Sequence, residues 1–173
     1  MIEMPIQHPE KKPLIDINQL GDACQKALKQ GIPVIQLLEE TGGYTPHELT
    51  QELGQLLRMP VLDMKSIHTL NPAYDLLPFA EAVMHECALF RSGPDFLLAI
   101  SNPFSSKLRS WAEERLDMTV EWYLVHPADL SAFFTQQEKT MRAMDHVLPT
   151  TEIDKIQSGV EDLSLKSINE GTS

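Results

Sequence analysis

Residues 31–64 have the sequence GIPVIQLLEETGGYTPHELTQELGQLLRMPVLDM, which predicts two helices and then a short strand. Residues 33–38 are apolar enough for a short helix, and the glycine turn at 41–43 ends it. Residues 45–48, Thr-Pro-His-Glu, start the second helix. They supply an N-cap threonine, a proline at the first helical position and a glutamate three residues after the cap. A Met-Pro pair stops this helix before residues 61–64 continue as an extended strand.

The second of these helices has a regular apolar face, formed by Leu49, Leu53, Leu56 and Leu57. Another helix precedes the stretch, because Asp16 and Gln19 fit a capping box and Gly31 fits a C-terminal cap. Its predicted apolar face consists of Leu20, Ala23, Cys24, Ala27 and Leu28. Residues 15–64 are therefore predicted to form a helical subdomain of about three helices, after a loosely ordered, proline-containing lead-in at 1–14.

The remaining chain predicts helices and strands in a mixed order. Residues 65–76 have little periodicity and contain Asn-Pro, so we interpret them as a connector. A helix is expected to start at Pro78. Further along, the pattern predicts strands at 88–90, 95–100 and 119–125 and helices at 105–116 and 128–146.

This order of elements predicts the α+β class for the whole chain. The helical subdomain would be followed by a small α/β sandwich with a three-stranded sheet at 77–147. Residues 148–173 are polar, with only scattered apolar residues, and predict a linker.

Composition and charge exclude several classes of function. The formal net charge is −11, and 42% of the 173 residues are hydrophobic. Binding to nucleic acid or to anionic lipid needs a basic surface, so neither is expected. No apolar run approaches the ~20 residues of a membrane span, and residues 1–12 lack the apolar core of a signal peptide. We therefore expect a cytoplasmic protein without direct membrane insertion.

The sequence contains none of the common catalytic motifs. None of its eight glycines is followed by lysine, so a phosphate-binding Gly-Lys-Ser/Thr loop is absent. His85-Glu86-Cys87 resembles half of a zinc deaminase site, but the Pro-Cys-x-x-Cys partner is missing. The six histidines include no pair at metal-binding spacing. We expect no catalytic residue and no metal site.

The other chemically active side chains are predicted to be structural. Cys24 and Cys87 lie in apolar helical patterns and predict small buried side chains. The adjacent glutamate pairs at 39–40 and 113–114 cannot face one another across a substrate, so they predict solvated helix faces. His126, next to a proline, is expected only to break a strand.

Several segments, in order, resemble the N-terminal domain of bacterial type II secretion and type IV pilus assembly ATPases. The helix, glycine turn, Thr-x-x-Glu start and Leu-rich helix are followed by RMPVLDM at 58–64, like the family's strand motif. LPFAEA at 77–82, ALFR at 88–91 and LLAISNP at 97–103 are similar to a second family pattern. The resemblance covers roughly residues 15–140.

The resemblance implies a non-catalytic docking and regulatory role. The partner would be the cytoplasmic domain of an inner-membrane secretion or pilus assembly protein, which would hold the chain at the membrane periphery. ATP and magnesium would belong to a motor domain that follows residue 173, and the parent motor would be a homohexamer. The N-terminal helices are the first place to look for the contact surface. Tyr44, Arg58 and Trp111 are candidate contacts by residue type.

Some family members bind cyclic di-GMP through a motif with fixed leucine and glycine positions, which implies an alternative function. When the motif is aligned with this chain, its leucine and glycine positions are occupied by Leu38, Gly42, Leu49 and Leu53. The family's Arg-Leu-Gly start is replaced by Pro-Val-Ile at 33–35, and its final glutamine is Leu56. The cation that would meet a phosphate is therefore missing. The four matching residues remain weak candidates for ligand contact.

Overall fold

The computed structural model describes residues 14–147, and the predicted lead-in and linker lie almost wholly outside them. The chain divides into two compact units between Phe134 and Thr135. The helices are α1 Ile17–Gln30, α2 Val34–Gly42, α3 Pro46–Leu57, α4 Met64–Ile67, α5 Phe79–Met84, α6 Ser106–Arg115 and α7 Pro127–Val147. The strands are β1 Val61–Leu62, β2 Asn71–Pro72, β3 Cys87–Ser92, β4 Asp95–Ile100 and β5 Glu121–Val125.

One mixed sheet contains all five described strands, in the order β1-β5-β4-β3-β2. β4 pairs with β3 in an antiparallel hairpin and with β5 in parallel. The two edge strands, β1 and β2, contribute two residues each. The predicted α+β class is confirmed, and the three predicted strands correspond to β3, β4 and β5. The predicted number of strands in the sheet is wrong, because β1 and β2 also belong to it. A two-residue strand is too short to produce an alternating pattern. The sequence therefore predicts β1 only as part of an extended segment at 61–64, and it does not predict β2.

Local capping fixes where the N-terminal helices begin. The backbone N–H of Asp16 donates to the side chain of Gln19 at 3.1 Å. At α3 the backbone N–H of Glu48 donates to Thr45 Oγ1 at 3.3 Å, and the Thr45 N–H donates to Glu48 Oε2 at 3.1 Å. Both predicted helix starts are confirmed, because these bonds satisfy N–H groups that lack a partner in the helix.

The buried side chains of the first unit form two clusters. One surrounds the sheet and includes Phe90, Leu98 and Phe133. The other joins α1, α2 and α3, and it also takes in Leu124 of β5. The N-terminal helices therefore pack on the sheet through the same strand that pairs with β1.

Gly54 of α3 has no room for a side chain. A Cβ atom there would lie 2.9 Å from the carbonyl oxygen of Met59 and would also overlap Val61 Cγ2. The helix therefore passes directly over the residues that lead into β1. The backbone N–H of Met59 donates to the Gly54 carbonyl at 2.8 Å and closes this turn. Glycine is needed here for close approach.

The segment interpreted as a connector, residues 65–76, contains most of α4 and all of β2. In the second unit, the described residues continue α7, where Arg142 pairs with Glu138 at 2.6 Å. Within residues 14–147, no helix is both long enough and apolar enough to cross a bilayer.

Candidate functional site

A groove of about 330 Å³ opens between α1 and α2. Apolar and polar side chains line it together, so it is suited to an amphipathic occupant. The lining residues are Ile15, Gln19, Asp22, Ala23, Lys26, Leu37, Leu38, Thr41, Gly42 and Tyr44. We call this cavity the α1–α2 groove.

The four cyclic di-GMP candidates are not gathered at this groove. Leu38 and Gly42 line it. Leu49 and Leu53 lie in the core of the helical cluster and are 0% and 1% exposed. The structure therefore places two of the four candidates at the groove and two in the hydrophobic interior.

Two side chains hold the backbone at Leu14, beside the groove. The buried carboxylate of Glu52 accepts the Leu14 N–H at 2.8 Å, and the Tyr44 hydroxyl donates to the Leu14 carbonyl at 3.3 Å. Tyr44, one of the predicted interface residues, thus forms part of the groove wall. Glu52 was not singled out from the sequence, because a single glutamate in a helix ordinarily predicts a solvated position.

The outer face of α1 carries exposed apolar side chains. Ile17 is 66% exposed and Leu28 is 86% exposed, although Leu28 was predicted to be in the core. At about 100° per residue, positions 17, 21, 24 and 28 lie within about 60° of one another. Gly21 and the half-buried Cys24 stand between the two large side chains. We call these four residues the α1 stripe.

The prediction that Leu28 is buried is wrong for a geometric reason, whereas Cys24 is half-buried and packs against the helical cluster. The apolar residues of α1 occupy a wider arc of the helix surface than the arc that packs against neighbouring elements. Only Leu20, Ala23 and Ala27 are buried. A helical sequence pattern marks which residues are apolar, and packing decides which of them are covered.

Glu39 and His126 form a polar contact inside the first unit. His126 Nε2 lies 2.5 Å from Glu39 Oε1, and the histidine side chain is 8% exposed. His126 Nδ1 accepts the backbone N–H of Ala128 at 3.0 Å. The prediction of a solvated face is therefore wrong for Glu39. Glu40 is exposed and accepts a hydrogen bond from Gln36 at 2.9 Å.

The residues that could have supported catalysis are not assembled. Cys87 is fully buried in β3, and burial raises the pKa of its thiol to about 12, so it stays protonated at neutral pH. His85 stacks on Trp111 with ring centroids 3.6 Å apart. His126 instead bonds to Glu39. Among residues 14–147, no three His, Cys, Asp or Glu side chains are grouped to hold a metal ion.

Near Trp111, Arg115 and Glu81 form an ion pair between α6 and α5. The Arg115 guanidinium bonds Glu81 at 2.8 Å and keeps the pKa of that carboxyl below its usual value. Trp111 itself is half-buried against the sheet cluster. Arg58, the third predicted interface residue, is exposed at the end of α3 with a left-handed φ of 54°.

Sequence comparison finds no match for this chain, either to a protein-family model or to a curated protein. Comparison of folds gives matches. A structure of MshE with cdg has a TM-score of 0.55 and 23% identity, over 71% of this chain and 90% of that chain. The N-terminal domain of XpsE has a TM-score of 0.48 and 12% identity, over 70% and 85% of the two chains. The likeness to the MshE structure shows that this chain shares its fold.

Proposed function

We propose that this chain is a non-catalytic docking domain from the N-terminal region of a type II secretion or type IV pilus assembly ATPase. The fold shared with the MshE structure and the segments at 58–64, 77–82 and 97–103 support this assignment. Its partner would be the cytoplasmic domain of an inner-membrane assembly protein. The chain would thus lie in the cytoplasm and reach the membrane through that partner.

The α1 stripe is the observation that carries the docking role. Ile17 and Leu28 expose most of their apolar surface, and water contact with such side chains is unfavourable. Gly21 has open space around its Cα and Cys24 is small, so a partner helix can approach α1 closely between the two large residues. Protein interfaces typically bury apolar side chains of this kind at their centre, within a polar rim.

Introducing a negative charge into the α1 stripe tests this role. Leu28→Asp is expected to weaken binding of the purified cytoplasmic domain of the assembly protein at least tenfold, in isothermal titration calorimetry. Its melting temperature should stay close to that of the parent, because Leu28 is 86% exposed.

Gln55→Asp is the matched control, since it adds the same charge at an exposed position of α3. It should bind like the parent chain. Equal affinity of Leu28→Asp and Gln55→Asp would exclude the α1 stripe as the contact.

Cyclic di-GMP binding is the alternative function, and the α1–α2 groove favours it. The groove contains Leu38 and Gly42 from the degenerate motif. Lys26 at its rim is a cation that could meet a phosphate. The replacement of the motif's arginine by Pro33 weighs against this function.

Titration with cyclic di-GMP separates the two functions. The docking role predicts no saturable binding of cyclic di-GMP up to about 100 μM. A Kd above that concentration would correspond to weak binding. Low-micromolar binding that Lys26→Glu abolishes and Lys29→Glu preserves would establish the alternative, because only Lys26 lines the groove.

ATP hydrolysis would belong to a motor domain elsewhere in the parent protein. The lack of a Gly-Lys-Ser/Thr loop in this chain and the protonated, buried thiol of Cys87 support a non-catalytic role here. Magnesium and nucleotide would be bound in that motor, which we propose to be a homohexamer.

A further inference from the structure

The imidazole ring of His126 is held from both sides by different parts of the chain. Nε2 contacts Glu39 of α2 at 2.5 Å, and Nδ1 contacts the backbone N–H of Ala128 in the first turn of α7 at 3.0 Å. Glu39 is 87 residues from His126 in sequence, whereas Ala128 is 2 residues away.

These two contacts together determine which ring nitrogen carries the proton. A backbone N–H can only donate, so Nδ1 must offer its lone pair to Ala128. An ionised carboxylate can only accept, so Nε2 must carry the hydrogen that faces Glu39. Both partners therefore select the same neutral tautomer and the same ring orientation.

The Nδ1 contact caps α7. The first N–H groups of a helix have no acceptor within the helix. Pro127 has no N–H, and Ala128 donates to the His126 ring. The Leu130 N–H donates to the His126 carbonyl at 3.0 Å and continues the first turn. His126 thus occupies the N-cap position, with the imidazole in the place of the usual hydroxyl or carboxylate.

We propose that Glu39 controls the first turn of α7 by positioning the His126 cap. With the carboxylate in place, the ring cannot rotate or exchange its proton between nitrogens without losing a hydrogen bond. Without the Glu39 carboxylate, no hydrogen bond at Nε2 keeps the ring in the orientation in which Nδ1 accepts the Ala128 N–H. The start of α7 therefore responds to the position of α2, through a single buried side chain.

This device links the α1–α2 groove to α7. The helix that carries Glu39 also supplies Leu37, Leu38 and Thr41 to the groove wall. An occupant that shifts α2 would move the Glu39 carboxylate and change the cap on α7. The inference rests on the geometry of His126 and does not depend on the proposed partner.

Amide hydrogen exchange in the full chain tests the proposal. Glu39→Ala is expected to speed exchange of the Ala128 amide about fivefold, the size expected for a weakened N-cap. Amides in the middle of α1 should exchange at the parent rate. Glu39→Gln keeps an acceptor for Nε2–H, so exchange at Ala128 should stay close to that of the parent.

A second substitution separates positioning from a general loss of stability. In His126→Asn the amide oxygen can cap Ala128 without help from α2. Glu39→Ala should then leave exchange at Ala128 unchanged in the His126→Asn background. Long-range ¹H–¹⁵N spectra of the parent should show His126 protonated at Nε2 only.

Two results would overturn the proposal. One is unchanged exchange at Ala128 in Glu39→Ala. The other is equal acceleration by Glu39→Ala with and without His126→Asn, which would mean that Glu39 acts on the fold as a whole and not through the ring.

Discussion

Leu53→Asp is expected to unfold or loosen the helical cluster of α1, α2 and α3. The Leu53 side chain is 1% exposed and belongs to the hydrophobic cluster of these helices. An unpaired carboxylate at such a position costs about 4 kcal/mol or more, a large share of the stability of a small domain. Circular dichroism during heating should show a melting temperature lowered by more than about 10 °C, or no cooperative transition.

Gln55→Asp introduces the same carboxylate two residues away, at an exposed position of α3. Its melting temperature should remain within about 2 °C of the parent. A Leu53→Asp chain that melts together with this control would show that the assigned core face of α3 is wrong.

Phe133→Ala is expected to cost about 3–5 kcal/mol through the cavity that it opens in the sheet cluster. Phe133 is 1% exposed, and its ring centroid lies 5.4 Å from that of Phe90 and 5.9 Å from that of Phe134. Several rings would lose contacts at once, which leaves little scope for collapse around the gap. Urea unfolding should show a lower midpoint with an unchanged slope.

Leu28→Ala provides the comparison for this truncation, because Leu28 is 86% exposed. It should change the free energy of unfolding by less than about 0.5 kcal/mol. If Phe133→Ala were as mild as Leu28→Ala, the aromatic cluster would not be the centre of the sheet core.

The helices could be predicted from the sequence because their signals are local. Asp16 with Gln19, and Thr45 with Glu48, specify helix starts within four residues of chain, and both pairs form the expected bonds. The β3–β4 hairpin was also predictable, since its apolar strands flank a short turn with Gly93 at a φ of 61°. β1 and β2 were not recognised as part of the sheet. Each has only two residues, and they are defined as strands by their pairing with β5 and β3, which the local sequence does not show.

The candidate site could be predicted only in part, because its key contacts are long-range. The Leu14 N–H finds the Glu52 carboxylate 38 residues away. Each of these residues, taken alone, predicts an ordinary surface position. The exposure of Leu28 depends on which elements pack against α1. The sequence of α1 alone does not contain that information. The resemblance to the secretion and pilus ATPases predicted a fold that the likeness to MshE confirms, whereas ligand binding by the degenerate motif stays a prediction.

The pairing of β1 with β5 has a consequence for the solubility of this chain. β1 belongs in sequence to the helical segment, yet its hydrogen bonds cover one side of β5, and Leu124 is buried under the N-terminal helices. If residues 14–64 were removed, β5 would become an open strand edge next to an uncovered leucine. Such edges recruit strands from other molecules. The N-terminal helices thus shield the sheet against aggregation, in addition to the docking role that we propose for them.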